Sequence, residues 1–234
     1  MRSLLTAFVL LTTLATTHGY AAEEAKPFVT AKEVDLTHYL PAPPANDSKQ
    51  TQDEIAELLQ IQKSRTPEQA AAAVADAQEE VWRFADVMGP KFSADKLPVT
   101  SAFFERIAAT EGAVVDPAKD FWKRPRPHMI SDQIQPIVKK SKSGSWPSGH
   151  ATLGYLMATL LADMVPEKKE ALYARASQYA QNRVIAGIHY RSDTVMSRTA
   201  AALIAQKLFE STEFSTQFAA TQKELRTALG YPLQ

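Results

Sequence analysis

The chain contains no cysteine, which excludes disulfides, thiol nucleophiles and thiolate metal sites. It also lacks net charge. Its 26 Lys and Arg balance 26 Asp and Glu, so no global basic field recruits nucleic acid or an anionic membrane surface. Any anion binding must come from a few concentrated cations. No segment alternates apolar and polar residues between turn signals in the manner of a strand, and there is no internal repeat and no sign of a second domain. Long hydrophobic runs are missing as well. The run Leu4 to Leu14 is too short to anchor stably in a bilayer, and no later segment is long and apolar enough to cross one.

What is present is 234 residues with 45% hydrophobic content, enough for one sizeable domain with a core. The Leu4–Leu14 run follows Arg2 and precedes small residues and Gly19-Tyr20-Ala21. That order is the signature of a secretory signal peptide cleaved near Ala21. The mature protein is therefore expected to be secreted, or periplasmic if the source is a Gram-negative bacterium. The expected organisation is a signal peptide over 1–21, an extended segment over 22–50 containing Pro41, Pro43 and Pro44, and a helical domain over 51–234.

Within that domain the apolar spacing predicts only helices. Thr66-Pro67-Glu68-Gln69 starts one with a capping box, and Val74, Ala77, Val81, Phe84 and Met88 continue it to Gly89-Pro90. Thr100 to Ala109 is a second, and Asp116-Pro117 opens a short third reaching Trp122. Further helices follow Ser148-Gly149-His150 and cover Glu167–Ile185, Asp193–Phe209 and Phe214–Leu229. The fold class is all-α, a compact single-domain helical bundle. The apolar surplus on several helices favours a homo-oligomer.

Three clusters carry possible chemistry. In Gly144-Ser145-Trp146-Pro147-Ser148-Gly149-His150-Ala151-Thr152, a loop delivers free N–H groups to a helix start, a ready anion site with a histidine in the first turn. A plain Ser-capped helix reads equally well. Lys119 and Arg126, seven residues apart with Arg126 between two prolines, could converge on a tetrahedral oxyanion, or both could be solvated surface cations. Arg183, His189 and Asp193 sit in an apolar setting where each needs a partner. Asp193 four residues after His189 can fix its tautomer and leave the other ring nitrogen free as a nucleophile, or the two can form a structural core pair. Lys123 and Arg124 are expected to be solvated or to guide anions. Trp146 is placed in the pocket wall or in packing, and Arg191 and Arg198 in salt bridges.

Taken in order, Lys119-x6-Arg126-Pro, Pro-Ser148-Gly149-His150 and Arg183-x5-His189-x3-Asp193 resemble the signature of the type-2 phosphatidic acid phosphatase superfamily, which vanadium haloperoxidases share. Within it the chain is most similar to the secreted class A nonspecific acid phosphatases, and the likeness extends through Leu40–Arg65. Asn182 stands where the third motif usually has Ser. The resemblance implies a metal-independent phosphatase without cofactor, acting on a broad range of small-molecule phosphate monoesters. In it Lys119, Arg126, Ser148, Gly149 and Arg183 bind phosphate, and His189 is a nucleophile oriented by Asp193. His150 is the general acid and then base, with a mildly acidic optimum expected and transfer of phosphate to alcohols a further activity. The alternatives are a vanadate-dependent haloperoxidase, a membrane-lipid phosphatase and a non-catalytic exported phosphate binder.

Overall fold

A computed structural model describes residues 25–233; the expected signal peptide lies outside them. The helix Gly149–Met164 is apolar on every side, and thirteen of its sixteen residues are buried. A helix of that kind can be satisfied only at the centre of a bundle. The helices are α1 (Leu36–Tyr39), α2 (Lys49–Ser64), α3 (Pro67–Ala75), a 3₁₀ turn Val81–Phe84 running into α4 (Ala85–Met88), α5 (Pro98–Trp122), α6 (Pro127–Ile130), the central α7 (Gly149–Met164), α8 (Lys169–Ile185), α9 (Arg191–Phe209) and α10 (Thr212–Leu229). Helices α5, α8, α9 and α10 surround α7. No strand occurs among the described residues.

Three departures from the expected elements have physical causes. The helices predicted over 100–109 and 116–122 are one continuous helix, α5, with Pro117 inside it. Proline removes the N–H that would bond the carbonyl of Ala113. That carbonyl instead accepts from the N–H of Ala31 at 3.2 Å, so the N-terminal segment repairs the ladder and the helix continues. The stretch expected to be wholly extended contains the one-turn helix α1, capped by the Asp35 side chain.

The third departure is a break. The helix opened by the capping box at Thr66 ends at Ala75 instead of running to Met88, and Val74 is exposed. Asp76 turns inward, 1% exposed, and accepts from Arg175 at 2.6 and 2.9 Å, Arg83 at 3.0 Å and Asn182 at 2.7 Å. Burial opposes its ionisation, but the hydrogen bonds and charge of Arg175, with Asn182 and Arg83, outweigh that and hold the carboxyl below its usual range. Three successive carbonyls released by the break are each taken by a side chain. Asp76 O accepts from Arg183 (3.2 Å), Ala77 O from His150 (3.2 Å) and Gln78 O from the Tyr179 hydroxyl (2.6 Å). No carbonyl of the three is left dry and unpaired.

Helices α7 and α8 approach closely at Gly154, where an added Cβ would lie 2.7 Å from Tyr179 Cδ1. The Tyr179 ring is buried and held by its bond to Gln78, so it cannot yield. Gly154→Ala gains about 1 kcal/mol of helix propensity but overpacks the core at about 1–3 kcal/mol. The expected net result in urea denaturation is a loss of about 1 kcal/mol; a gain would show that this helix contact is slack.

Candidate active site

The extended peptide Lys123–Pro127 leaves α5 through a left-handed residue, Lys123 (φ 49°). Residues preceding proline are held out of the helical region, so Arg124 and Arg126 are both extended and share one face of the segment. Both are buried, at 3% and 4% exposure. They grip a single His–Asp pair from its two ends.

Arg126 Nη1 donates to His189 Nε2 at 3.0 Å and to the Ile188 carbonyl at 3.2 Å, and the rest of its guanidinium bonds Ser143 and Gly144. His189 Nδ1 faces Asp193 Oδ2 at 3.2 Å and Ser145 Oγ at 3.3 Å. Asp193 is fully buried. Its Oδ2 accepts from Ser145 Oγ (2.5 Å) and the Tyr190 N–H (2.9 Å), and its Oδ1 from Arg124 Nη1 (2.6 Å). Arg124 continues to Glu54 Oε2 on α2 (3.1 Å) and lies over the Tyr190 ring at 3.9 Å. Glu54 in turn caps the first turn of α9 through Ser192 N–H at 2.6 Å.

This arrangement sets proton positions. Arginine only donates, so His189 Nε2 presents its lone pair, and Nδ1 carries the hydrogen toward Asp193. Burial, followed by the positive charges of Arg126, Arg183 and Lys119, holds His189 well below the usual histidine range, so it is neutral. Burial pushes Asp193 up to about 6, against the pull of Arg124, Ser145 and the Tyr190 N–H. Burial also brings Arg126 down to about 10.

His150, the second residue of α7, is the opposite case. Its Nδ1 lies 2.8 Å from Glu79 Oε1 and its Nε2 3.2 Å from the Ala77 carbonyl. A carboxylate and a carbonyl are acceptors only, so both contacts are made together only by the imidazolium. The hydrogen bond from His150 is the main cause that lowers Glu79 below the usual glutamate range.

Lys119, Arg126, Gly149, His150, Arg183 and His189 line one cavity of about 320 Å³. Lys119 Nζ rests on Asp116 at 2.9 Å. Arg183 is 3% exposed and has no hydrogen-bond partner at Nε. Ser148 is fully buried and its Oγ accepts from the Ala151 N–H (3.3 Å) as the cap of α7, so it stands behind the cavity wall. Asp193 is likewise one layer back, behind His189. The cavity shares Lys139, Ser141, His150 and Arg183 with an outer one of about 560 Å³ that Val138, Lys140 and Lys142 also line. Among the described residues no group of three or more His, Asp or Glu is placed to hold a metal ion.

Several neighbours were not visible in the sequence. Arg124, expected to be solvated, is a buried partner of Asp193; the two prolines that make residues 124 and 126 extended were the available signal. Glu54 and Glu79 carried none, because they reach the site from distant elements; Ser145 lies in the loop already singled out, and Glu111 on the same helix as Lys119, but neither was picked out there. Asn182, in place of the usual Ser, hydrogen bonds Asp76 and Gln178. Trp146 packs edge-on against Trp122 away from the cavity. Arg191 pairs with Glu57 as expected, whereas Arg198 bonds Ser177 and lies over Tyr155 instead of forming a salt bridge.

Residues 104–216, which contain all three motifs, match the family model described as PAP2 superfamily. The chain is 29% identical over 215 residues to a non-specific acid phosphatase of Salmonella typhimurium, covering 88% of this chain and 86% of that one. It is 26% identical over 208 residues to a non-specific acid phosphatase of Providencia stuartii, covering 83% and 82%. A crystal structure of a transmembrane PAP2-type phosphatidylglycerolphosphate phosphatase from Bacillus subtilis shares the fold, with a TM-score of 0.50 at 18% identity, over 80% of this chain and 98% of that one. No helix among the described residues here is long and apolar enough to cross a membrane.

Residues 104–216 form a PAP2 superfamily domain. The protein is a phosphatase, similar over most of its length to the non-specific acid phosphatases.

Breaking a buried ion pair from one side strands a charge, at about 3–5 kcal/mol. Arg124→Gln is therefore expected to lower unfolding free energy by about 3 kcal/mol or more in urea titration. A loss under 1 kcal/mol would show that Arg124 does not hold Asp193.

Proposed function

We propose that the protein hydrolyses phosphate monoesters of broad range in two steps through a phosphohistidine. The observation that carries this reading is the pairing, across one cavity, of a neutral histidine presenting a lone pair at Nε2 with a second histidine whose Nδ1 faces a carboxylate and whose Nε2 faces a carbonyl.

Lys119, Arg126, Arg183 and the Gly149 N–H bind the non-bridging oxygens of the phosphoryl group. The Ser148 hydroxyl, whose proton is not used in capping, joins them by a small rotation. Their charge meets the charge of the transition state, where positioning and electrostatics supply most of the catalysis in phosphoryl transfer. As the substrate takes over Arg126, His189 Nε2 is freed and attacks phosphorus in line. The P–O bond to the leaving group breaks, and His150 passes a proton to the departing oxygen. Asp193 stabilises the charge that forms on His189. Water then enters, His150 accepts its proton, the new O–P bond forms and the P–N bond breaks. An alcohol in place of that water gives phosphate transfer.

The outer cavity supports breadth of substrate. It places exposed lysines and a few apolar surfaces around the leaving group and no closely fitted partner for one structure. Secretion follows from the signal-peptide character of residues 1–21. Self-association draws on exposed apolar side chains such as Phe121, Met129 and Ile130.

The test is acid-quench trapping with p-nitrophenyl phosphate labelled in its phosphoryl group. Wild type is expected to give an acid-labile label that His189→Ala abolishes. His150→Ala is expected to lose about 10²–10⁴-fold in turnover, the usual worth of a general acid and base, while still taking up label from this good leaving group. A wild-type enzyme that turns over with no His189-dependent label would rule out the covalent mechanism.

A further inference from the structure

Three carboxyl side chains, Glu79, Glu111 and Asp116, line the inner cavity. Two have basic side chains as partners: Glu79 has His150 and Asp116 has Lys119. Glu111 on α5 has none. It is 5% exposed, and its Oε1 has no hydrogen-bond partner. Its place is defined by Gly149, where an added Cβ would lie 2.9 Å from Glu111 Oε1 and 2.8 Å from Lys119 Nζ. The carboxyl and the ammonium thus flank the first residue of α7, whose helix start and cationic surroundings attract an anion.

An ionised carboxylate there would repel the phosphate that the rest of the cavity gathers. A neutral carboxylic acid has an O–H to give instead. We propose that Glu111 contacts the phosphoryl group itself, its O–H donating to a non-bridging oxygen beside Lys119 and the Gly149 N–H. The inference rests on phosphate occupying this cavity, as in the function proposed above.

The surroundings favour the neutral form. Burial pushes Glu111 up to about 8; Glu79 and Asp116 push the same way, and Lys119 pulls against them. The titratable groups that share its cavity are Asp116 and Lys119 on α5, Glu79 on the segment after α3, Arg126 and Lys139 between α5 and α7, His150 on α7, Arg183 on α8 and His189 before α9. The consequence is a built-in acid preference for ligand binding. Above about pH 8 the donor becomes a repelling anion.

The test is inhibition of p-nitrophenyl phosphate hydrolysis by inorganic phosphate between about pH 5 and pH 9, in wild type, Glu111→Gln and Glu111→Leu. Gln keeps the size and an N–H donor; Leu keeps the size alone. At about pH 5.5 the Gln variant is expected to bind phosphate within about threefold of wild type, and the Leu variant about tenfold more weakly, the scale of a hydrogen bond to a charged group. The ratio of wild-type to Gln inhibition constants cancels the ionisation of phosphate itself. It is expected to rise toward about tenfold per pH unit above pH 8. A flat ratio, or a Leu variant that binds phosphate like wild type at about pH 5.5, overturns the proposal.

Thermal melting of the free proteins gives a readout independent of turnover. Between the ordinary glutamate value of 4.5 and about 8, the folded state holds a proton that the unfolded chain has released. Wild type therefore loses stability as pH rises through that window, and Glu111→Gln does not. A melting-temperature gap between Gln and wild type that fails to widen from about pH 5 to pH 8 overturns the neutral acid. A wild type that hydrolyses no phosphate ester defeats the underlying phosphatase reading, and this inference with it.

Discussion

The site depends on one buried chain of contacts, Glu54–Arg124–Asp193–His189–Arg126. Each member would be costly alone, since an isolated buried charge forfeits several kcal/mol of solvation. Together the four charged members alternate in sign, with the neutral His189 between Asp193 and Arg126, and all five share hydrogen bonds, so the penalty is met within the chain. The same chain joins α2, the extended peptide after α5, and the start of α9. A structure that keeps it must keep those three elements in register, and with them the direction of the His189 lone pair. Fold and chemistry are here one constraint.

The second organising feature is the broken helix after Ala75. Had the periodic pattern continued to Met88, the carbonyls of Asp76, Ala77 and Gln78 would have been used inside it. The break frees them for Arg183, His150 and Tyr179, and brings Glu79 over His150. One local exception to helical propensity thus positions two of the cavity's side chains, Arg183 and His150. Asp76 makes the exception affordable by collecting Arg175, Arg83 and Asn182.

Much of this was legible in the residues. The helix starts at Thr66 and Ser148 and the stop at Gly230 are local chemistry, and the three motifs bring their cations and histidines to one cavity. What was not legible is non-local. Pro117 reads as a helix start, and only the remote N–H of Ala31 lets α5 pass through it. Val74 to Met88 keeps a helical period, and only buried Asp76 explains why it breaks. Arg124 looks like a surface cation until Asp193 and Glu54, 69 and 70 residues away, come to meet it. Glu111 looks like an ordinary helix glutamate until burial removes every partner.

The central claim is that this buried chain holds His189 neutral, with its proton on Nδ1 and a lone pair on Nε2. Nitrogen NMR of histidine-labelled protein at about pH 6.5, with His189 assigned by substitution, reads that state directly. The account predicts a neutral ring with the Nδ1–H tautomer, lost or reversed in Asp193→Asn. A doubly protonated His189, or one carrying its proton on Nε2, would contradict it.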